Sequence, residues 1–197
     1  MSFLKNLLEN MEKKWFAKGA PLERFYPLFE AADTLFYTPG KVTKSPSLVR
    51  DSADLKRVMI TVVIALFPAI LMALYNTGLQ ANLAIASGAG IPEGWRTSLV
   101  QGLGFDFSTT SVIGCAIHGL MYYLPVFIVT FVVGLGLEVL FCIVRKEEVN
   151  EGFFVTGFLF PMIVPPTIPL WQVAVAIAFG VIIGKEVFGG TGFNVFN

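Results

Sequence analysis

The chain has 197 residues, 55% of them apolar and 14% charged, and its formal net charge is zero. A soluble domain carries about 25% charged residues, and a chain this short builds no single core able to hide so much apolar surface. Lipid is therefore the expected solvent, and the balanced charge argues against a nucleic-acid partner.

The positive charges are unevenly placed. Ten of fourteen Lys and Arg residues, Lys5 to Arg57, precede the first long apolar run, and only Arg96, Arg145, Lys146 and Lys185 follow it. Residues 3–16 set Phe3, Leu4, Leu7, Leu8, Met11 and Trp15 on one helical face, with Lys5, Asn6, Glu9, Lys13 and Lys14 on the other. No uninterrupted apolar stretch marks a signal peptide here. An amphipathic helix on the membrane surface, or against a partner, fits the pattern. Residues 19–50 hold Pro21, Pro27, Pro39 and Pro46 and read as an irregular cytoplasmic arm. Its aromatics, Phe25, Tyr26, Phe29, Phe36 and Tyr37, imply that it packs on something. Asp51 or Ser52 is expected to cap the helix that follows. Residues 1–56 thus form an N-terminal arm and residues 57–197 a transmembrane domain.

The first span, near 58–75, is uncharged from Val58 to Tyr75 and carries Pro68, a kink candidate. Asn76 to about Ser111 reads as a glycine-rich loop poor in Lys and Arg, which places it outside and the N-terminus in the cytoplasm. The second span, near 120–144, ends at Arg145-Lys146. Thr110–Gly119 is apolar enough to join it, giving a run too long for one straight crossing, with Pro125 and the glycines as break points. Two shorter runs, near 153–164 and 170–184, flank Pro165-Pro166-Thr167-Ile168-Pro169. Each falls short of the roughly 20 residues a full crossing needs, so a helical hairpin, a re-entrant loop or broken helices around a site are all open, buried inside a bundle. The fold class is an all-α integral membrane protein, a multi-span helical bundle with short or broken helices. We read it as one half of an inverted-repeat, transporter-like fold.

Few side chains are equipped for chemistry. Cys115 and Cys142 lie in apolar stretches without metal or redox spacing and read as small hydrophobes. His118 has no carboxylate or thiol at ligand spacing and reads as a packed imidazole. Glu138 stands out: seven residues before Arg145, it lies about 10 Å inside the helix end. A carboxylate at that depth serves a cation or proton path, snorkels to the cytoplasmic interface, or pairs with a lysine from another chain. Gly134 and Gly136 allow close approach of a helix or a flat ligand. The run from Gly189 to Asn197 is glycine-rich but matches no phosphate-binding fingerprint.

Four stretches resemble a known family: Glu138–Phe141 (EVLF), Glu151–Gly157 (EGFFVTG), Pro165–Trp171 (PPTIPLW) and Gly184–Asn194 (GKEVFGGTGFN). They are similar to the B-type subunit of the sodium-translocating NADH:quinone oxidoreductases. The related D-type subunit of ferredoxin-linked Rnf complexes shares parts of them. The amphipathic helix and proline-rich arm join the resemblance, which covers essentially the whole chain but about half the family's length.

The resemblance implies a membrane subunit of a respiratory complex that passes electrons from NADH to quinone while exporting sodium. It implies a multi-pass location in a bacterial inner membrane, with the other subunits, quinone, sodium ions and the lipid bilayer as partners. It further implies an FMN esterified to a threonine of a Ser/Thr-Gly-Ala-Thr motif, which this sequence lacks, so that attachment falls in a missing C-terminal half. Riboflavin would be held by Asn194 and Asn197, quinone would lie near Gly134 and Gly136, and Glu138 would stand on the sodium pathway. No residue is assigned a catalytic role or a resident metal. The alternatives are an Rnf-type ion-pumping subunit and a transporter or channel half without redox activity.

Overall fold

A computed structural model describes residues 10–16, 20–26, 29, 55–145, 152–190 and 193. Among them every regular element is helical. The α-helices are α1 (Leu55–Ala84), α2 (Trp95–Gly102), α3 (Val112–Thr130), α4 (Gly136–Arg145), α5 (Gly152–Ile163) and α6 (Leu170–Ile182). A π-turn, Ile85–Ala89, extends α1, and another, Phe131–Leu135, joins α3 to α4 without a break. Three helical runs are long and apolar enough to cross a membrane: Val58–Ala89, Val112–Arg145 and Leu170–Phe188. The chain is thus an all-helical membrane protein.

The first crossing is longer than its apolar run. The segment after Tyr75, read from sequence as the start of a loop, stays helical through Asn76, Gln80 and Asn82 to Ser87, where Gly88 (φ 96°) kinks the final turn, and α2 occupies part of the remaining connection. At 1.5 Å per residue, the continuous helix over residues 58–87 measures about 45 Å against a hydrocarbon core of about 30 Å. The second run behaves likewise. It begins at Val112, where the Ser111 hydroxyl accepts from the Gly114 amide at 3.1 Å and caps the first turn. It continues past Pro125 to Arg145 as one rod. Its departure from α geometry is the π-turn at 131–135 and not the proline.

Glycine sets how α1 meets α3. A β-carbon on Gly78 would overlap the carbonyl oxygen of Cys115, and one on Gly119 would overlap that of Leu74. The two backbones therefore touch directly, each helix using its glycine as the other's socket. One turn further along, the close approach brings Asn82 against His118, with His118 Nδ1 2.7 Å from Asn82 Oδ1. The Asn82 amide donates to the Ser108 carbonyl at 3.1 Å and to Cys115 Sγ at 3.4 Å. These buried polar groups thus satisfy one another, as burial requires.

The opposite half of the rod takes up the hairpin. Val126, Thr130, Gly134, Glu138 and Cys142, four residues apart, are all buried. In an ideal helix such a stripe would drift by about 40° per step, and the wider π-turn reduces the drift midway. Phe153 of α5 fills the space left by Gly134, and Phe131 fills that left by Gly157. Ile177 and Val181 of α6 complete this core with Phe153. The α5 arm packs against both the rod and α1, where Phe158 meets Phe67, whereas the α6 arm packs against the rod, and its outward face, with Trp171, Val175 and Phe179, is open in this chain. Burial is therefore one-sided for α6, while α5 is covered by two neighbours. Three of the five residues turning between the arms are prolines without an N–H to satisfy. The Ile168 amide finds the Pro165 carbonyl at 3.1 Å.

The expected cap at Asp51 or Ser52, the start of the amphipathic helix, Phe36, Tyr37 and the stretch 146–151 lie outside the described residues. Within the arm, Phe29 is buried and stacks on Phe16 with ring centroids 4.6 Å apart. Part of its aromatic content therefore packs within the arm itself.

The crossing generates a test. A Gly119→Ala methyl meets a backbone carbonyl that no rotamer change can move, whereas Gly180 has open space at its β-carbon position. Gly119→Ala is expected to lower the thermal unfolding midpoint in detergent by an overpacking cost of about 1–3 kcal/mol or more. Gly180→Ala should stay at or above the wild-type midpoint, Ala being the better helix former.

Candidate functional site

The site forms where α4 ends beside the turn after α6. Glu138 enters the buried stripe because it lies four residues beyond Gly134, and it is 1% exposed. Residues 183–188, a turn followed by the 3-10 turn Glu186–Phe188, bring Lys185 and Glu186 to the same level. Lys185 Nζ donates to Glu138 Oε1 at 2.6 Å and stands 3.9 Å from Glu186 Oε1. Arg145 Nη1 donates to Glu186 Oε2 at 2.8 Å, and Nη2 donates to the Glu186 carbonyl. The result is a line of alternating charge: Glu138, Lys185, Glu186, Arg145. Two cations balance two carboxylates, which is the condition for holding such groups away from water.

Two glycines close the cluster. Gly189 (φ 114°) and Gly190 (φ 87°) take left-handed conformations that other residues avoid. A β-carbon on Gly190 would sit 3.5 Å from Arg145 Nη1 and 3.6 Å from Glu186 Oε2. The amides of Gly189 and Gly190 bond back to the carbonyls of Glu186 and Lys185 at 3.1 Å each. This backbone is thereby committed to the ion cluster.

The other sequence-derived candidates separate. Gly134 is a packing socket for Phe153, while nothing stands within 4 Å of a β-carbon placed on Gly136, whose face is open. Both glycines lie within five residues of Glu138, but they point different ways. Asn194 and Asn197 lie outside the described residues. Ser87-Gly88-Ala89-Gly90 does not fit an esterified FMN: its last residue has no hydroxyl, and its two glycines have φ of 96° and 74°. His118 and Cys115 belong to the α1–α3 contact, and Cys142 is a buried thiol. No group of three or more metal-ligating side chains occurs among the described residues.

Sequence reasoning found Glu138 but not its partners. Lys185 is 47 residues away. The available signal was topological: if the hairpin enters and leaves on the side where α4 ends, Arg145 and Lys185-Glu186 must meet at Glu138's level.

The chain is therefore a helical membrane protein that keeps a neutral quartet of ionisable side chains where α4 ends beside the turn after α6. The chain belongs to the NQR2, RnfD, RnfE family, whose model matches residues 42–197. It is 51% identical over 194 residues to the B-type subunit of the Na(+)-translocating NADH-quinone reductase of Chromohalobacter salexigens, covering 98% of this chain and 47% of that protein. The corresponding B-type subunits of Pseudomonas paraeruginosa (51% over 198 residues) and Klebsiella pneumoniae (50% over 202 residues) align over 98% of this chain and 48% and 49% of their own lengths. The chain spans about half the length of the curated relatives it matches.

The quartet's energetics can be measured. Glu186→Gln removes the charge facing the partly accessible Arg145 guanidinium, which keeps its bond to the Glu186 carbonyl, and should destabilise the protein by about 1.5–3 kcal/mol. Arg145→Gln combined with Glu186→Gln should recover part of that loss in thermal unfolding. A double variant as unstable as the sum of the singles would mean the two residues act separately.

Proposed function

We propose that this chain is the N-terminal part of the B-type subunit of a sodium-translocating NADH:quinone oxidoreductase. In that reading it works with the other subunits in a bacterial inner membrane, its N-terminus cytoplasmic. The observation that carries the reading is the reach of the likeness. Relatives named as B-type subunits of that enzyme align over 98% of the chain, including the arm that precedes the family match at residue 42. An Rnf-type subunit is the less favoured reading because the family match leaves that arm out.

Within this function Glu138 is the carboxylate of the sodium path. A carboxylate oxygen is a hard donor that suits an alkali cation, and burial makes its charge expensive unless a cation stands by. Quinone lies against the open face at Gly136 and not in the filled space at Gly134. Flavin and quinone supply the redox chemistry, while protein groups set position and water access. The FMN ester belongs to a segment outside this chain. Riboflavin would meet residues beyond Gly190, including Asn194 and Asn197, since the Gly189–Gly190 backbone already serves the ion cluster.

In the assembled complex, Glu138→Gln should raise the half-saturating sodium concentration for quinone reduction by about tenfold, or about 1.4 kcal/mol, while NADH still reduces the first flavin. Identical sodium curves at equal flavin content would return Glu138 to a structural role. For quinone, Gly136→Val is the informative substitution because the added side chain meets no protein atom within 4 Å of its β-carbon. A higher quinone KM with flavins retained is expected, and an unchanged KM would move the quinone elsewhere.

A further inference from the structure

The carboxylate of the ion path has a competitor built into the chain. Lys185 Nζ stands 2.6 Å from Glu138 Oε1 and 3.9 Å from Glu186 Oε1, in contact with one carboxylate and a short torsion from the other. Glu186 does not depend on it, because Arg145 already holds both its Oε2 and its carbonyl oxygen. The arginine, bound along two edges of a planar fork, is a fixed anchor. The lysine, a point charge on a four-carbon stem, can change acceptors by rotation. Exposure agrees: the Lys185 side chain is 18% accessible and that of Glu138 is 1%. The ammonium has room to move, and the carboxylate is held.

We propose that Lys185 is a tethered counter-cation that competes with a hard monovalent cation for Glu138, yielding it by swinging to Glu186. The inference rests on the reading of Glu138 as the path's carboxylate. In the resting arrangement the quartet is neutral, and the buried carboxylate is never left bare, which would be costly. When a cation arrives, the ammonium moves to Glu186 Oε1 and the cation takes its place at Glu138. The cluster then carries one surplus positive charge. That surplus keeps occupancy shallow, so the cation is held weakly enough to leave, and the returning ammonium displaces it.

The test uses the assembled complex containing the full-length chain. Quinone reduction by NADH is measured against sodium concentration and normalised to flavin content. Lys185→Gln removes the competitor, and the half-saturating sodium concentration should fall by about tenfold if the ammonium holds the carboxylate about nine-tenths of the time. Lys185→Arg, a competitor that forks onto the carboxylate and exchanges poorly, should raise it. A merely structural lysine would alter the maximal rate or the yield of complex without moving the half-saturation point in opposite directions. An unchanged or raised half-saturation in Lys185→Gln, with Glu138→Gln still shifting the curve, overturns the tethered competitor and leaves the Glu138 reading standing. A curve unmoved by Glu138→Gln overturns both. If Lys185→Gln fails to assemble, Lys185→Arg decides, and a half-saturation equal to wild type defeats the inference.

Discussion

Lipid gives two apolar helices no hydrophobic reason to prefer each other, so their association must come from close packing and hydrogen bonds. Here that packing begins at one place. Gly78 and Gly119 let the backbones of α1 and α3 touch at two carbonyls, and everything built on the rod follows from the contact. It brings Asn82 within bonding distance of His118. By fixing which face of α3 meets α1, it also turns another face of the same rod toward the hairpin. The stripe from Val126 to Cys142, and Glu138 within it, is thus oriented from a crossing made several turns away.

The second pair of sockets works on the same principle with a different filler. Where Gly78 and Gly119 admit backbone, Gly134 and Gly157 admit the rings of Phe153 and Phe131. Phe131 also meets Phe127 at 4.4 Å and Phe158 at 5.7 Å between ring centroids. The hairpin is thereby tied to the rod by interlocked aromatics, and the two ion pairs close only its final turn. Burial of charge is a consequence of that docking and not its cause.

The fold was legible where composition and architecture agree. Val58–Tyr75 could only be a span, and the run Pro165–Pro169 could only be a turn between short helices. It misled where a tertiary contact overrides composition. The segment from Asn76 to Asn82 is polar enough to pass for a loop, yet it is helical because Gly78 and Asn82 have their partners on α3. Pro125 was the obvious place for a break, and the rod passes through it unbroken. The departure from α geometry falls instead at the π-turn 131–135, which holds Gly134, one of the glycines that offered a break. In the site, Glu138 announced itself as a lone charge in an apolar run. Lys185 read as the end of a helix, since its role exists only when residues 47 apart in sequence meet.

The length of the first rod carries a consequence for how the protein sits in a bilayer. To fit about 45 Å of helix within about 30 Å of hydrocarbon by leaning alone would need a tilt of about 48°, beyond the range of roughly 0–40° that membrane helices adopt. Part of each rod must therefore stand clear of the acyl chains. With the Arg145 end held at one headgroup layer, the part that emerges is the far one, where Asn82, His118 and Ser108 join. Their hydrogen bonds then lie at the depth of the lipid headgroups, so the polar join braces the helix pair where the acyl chains stop.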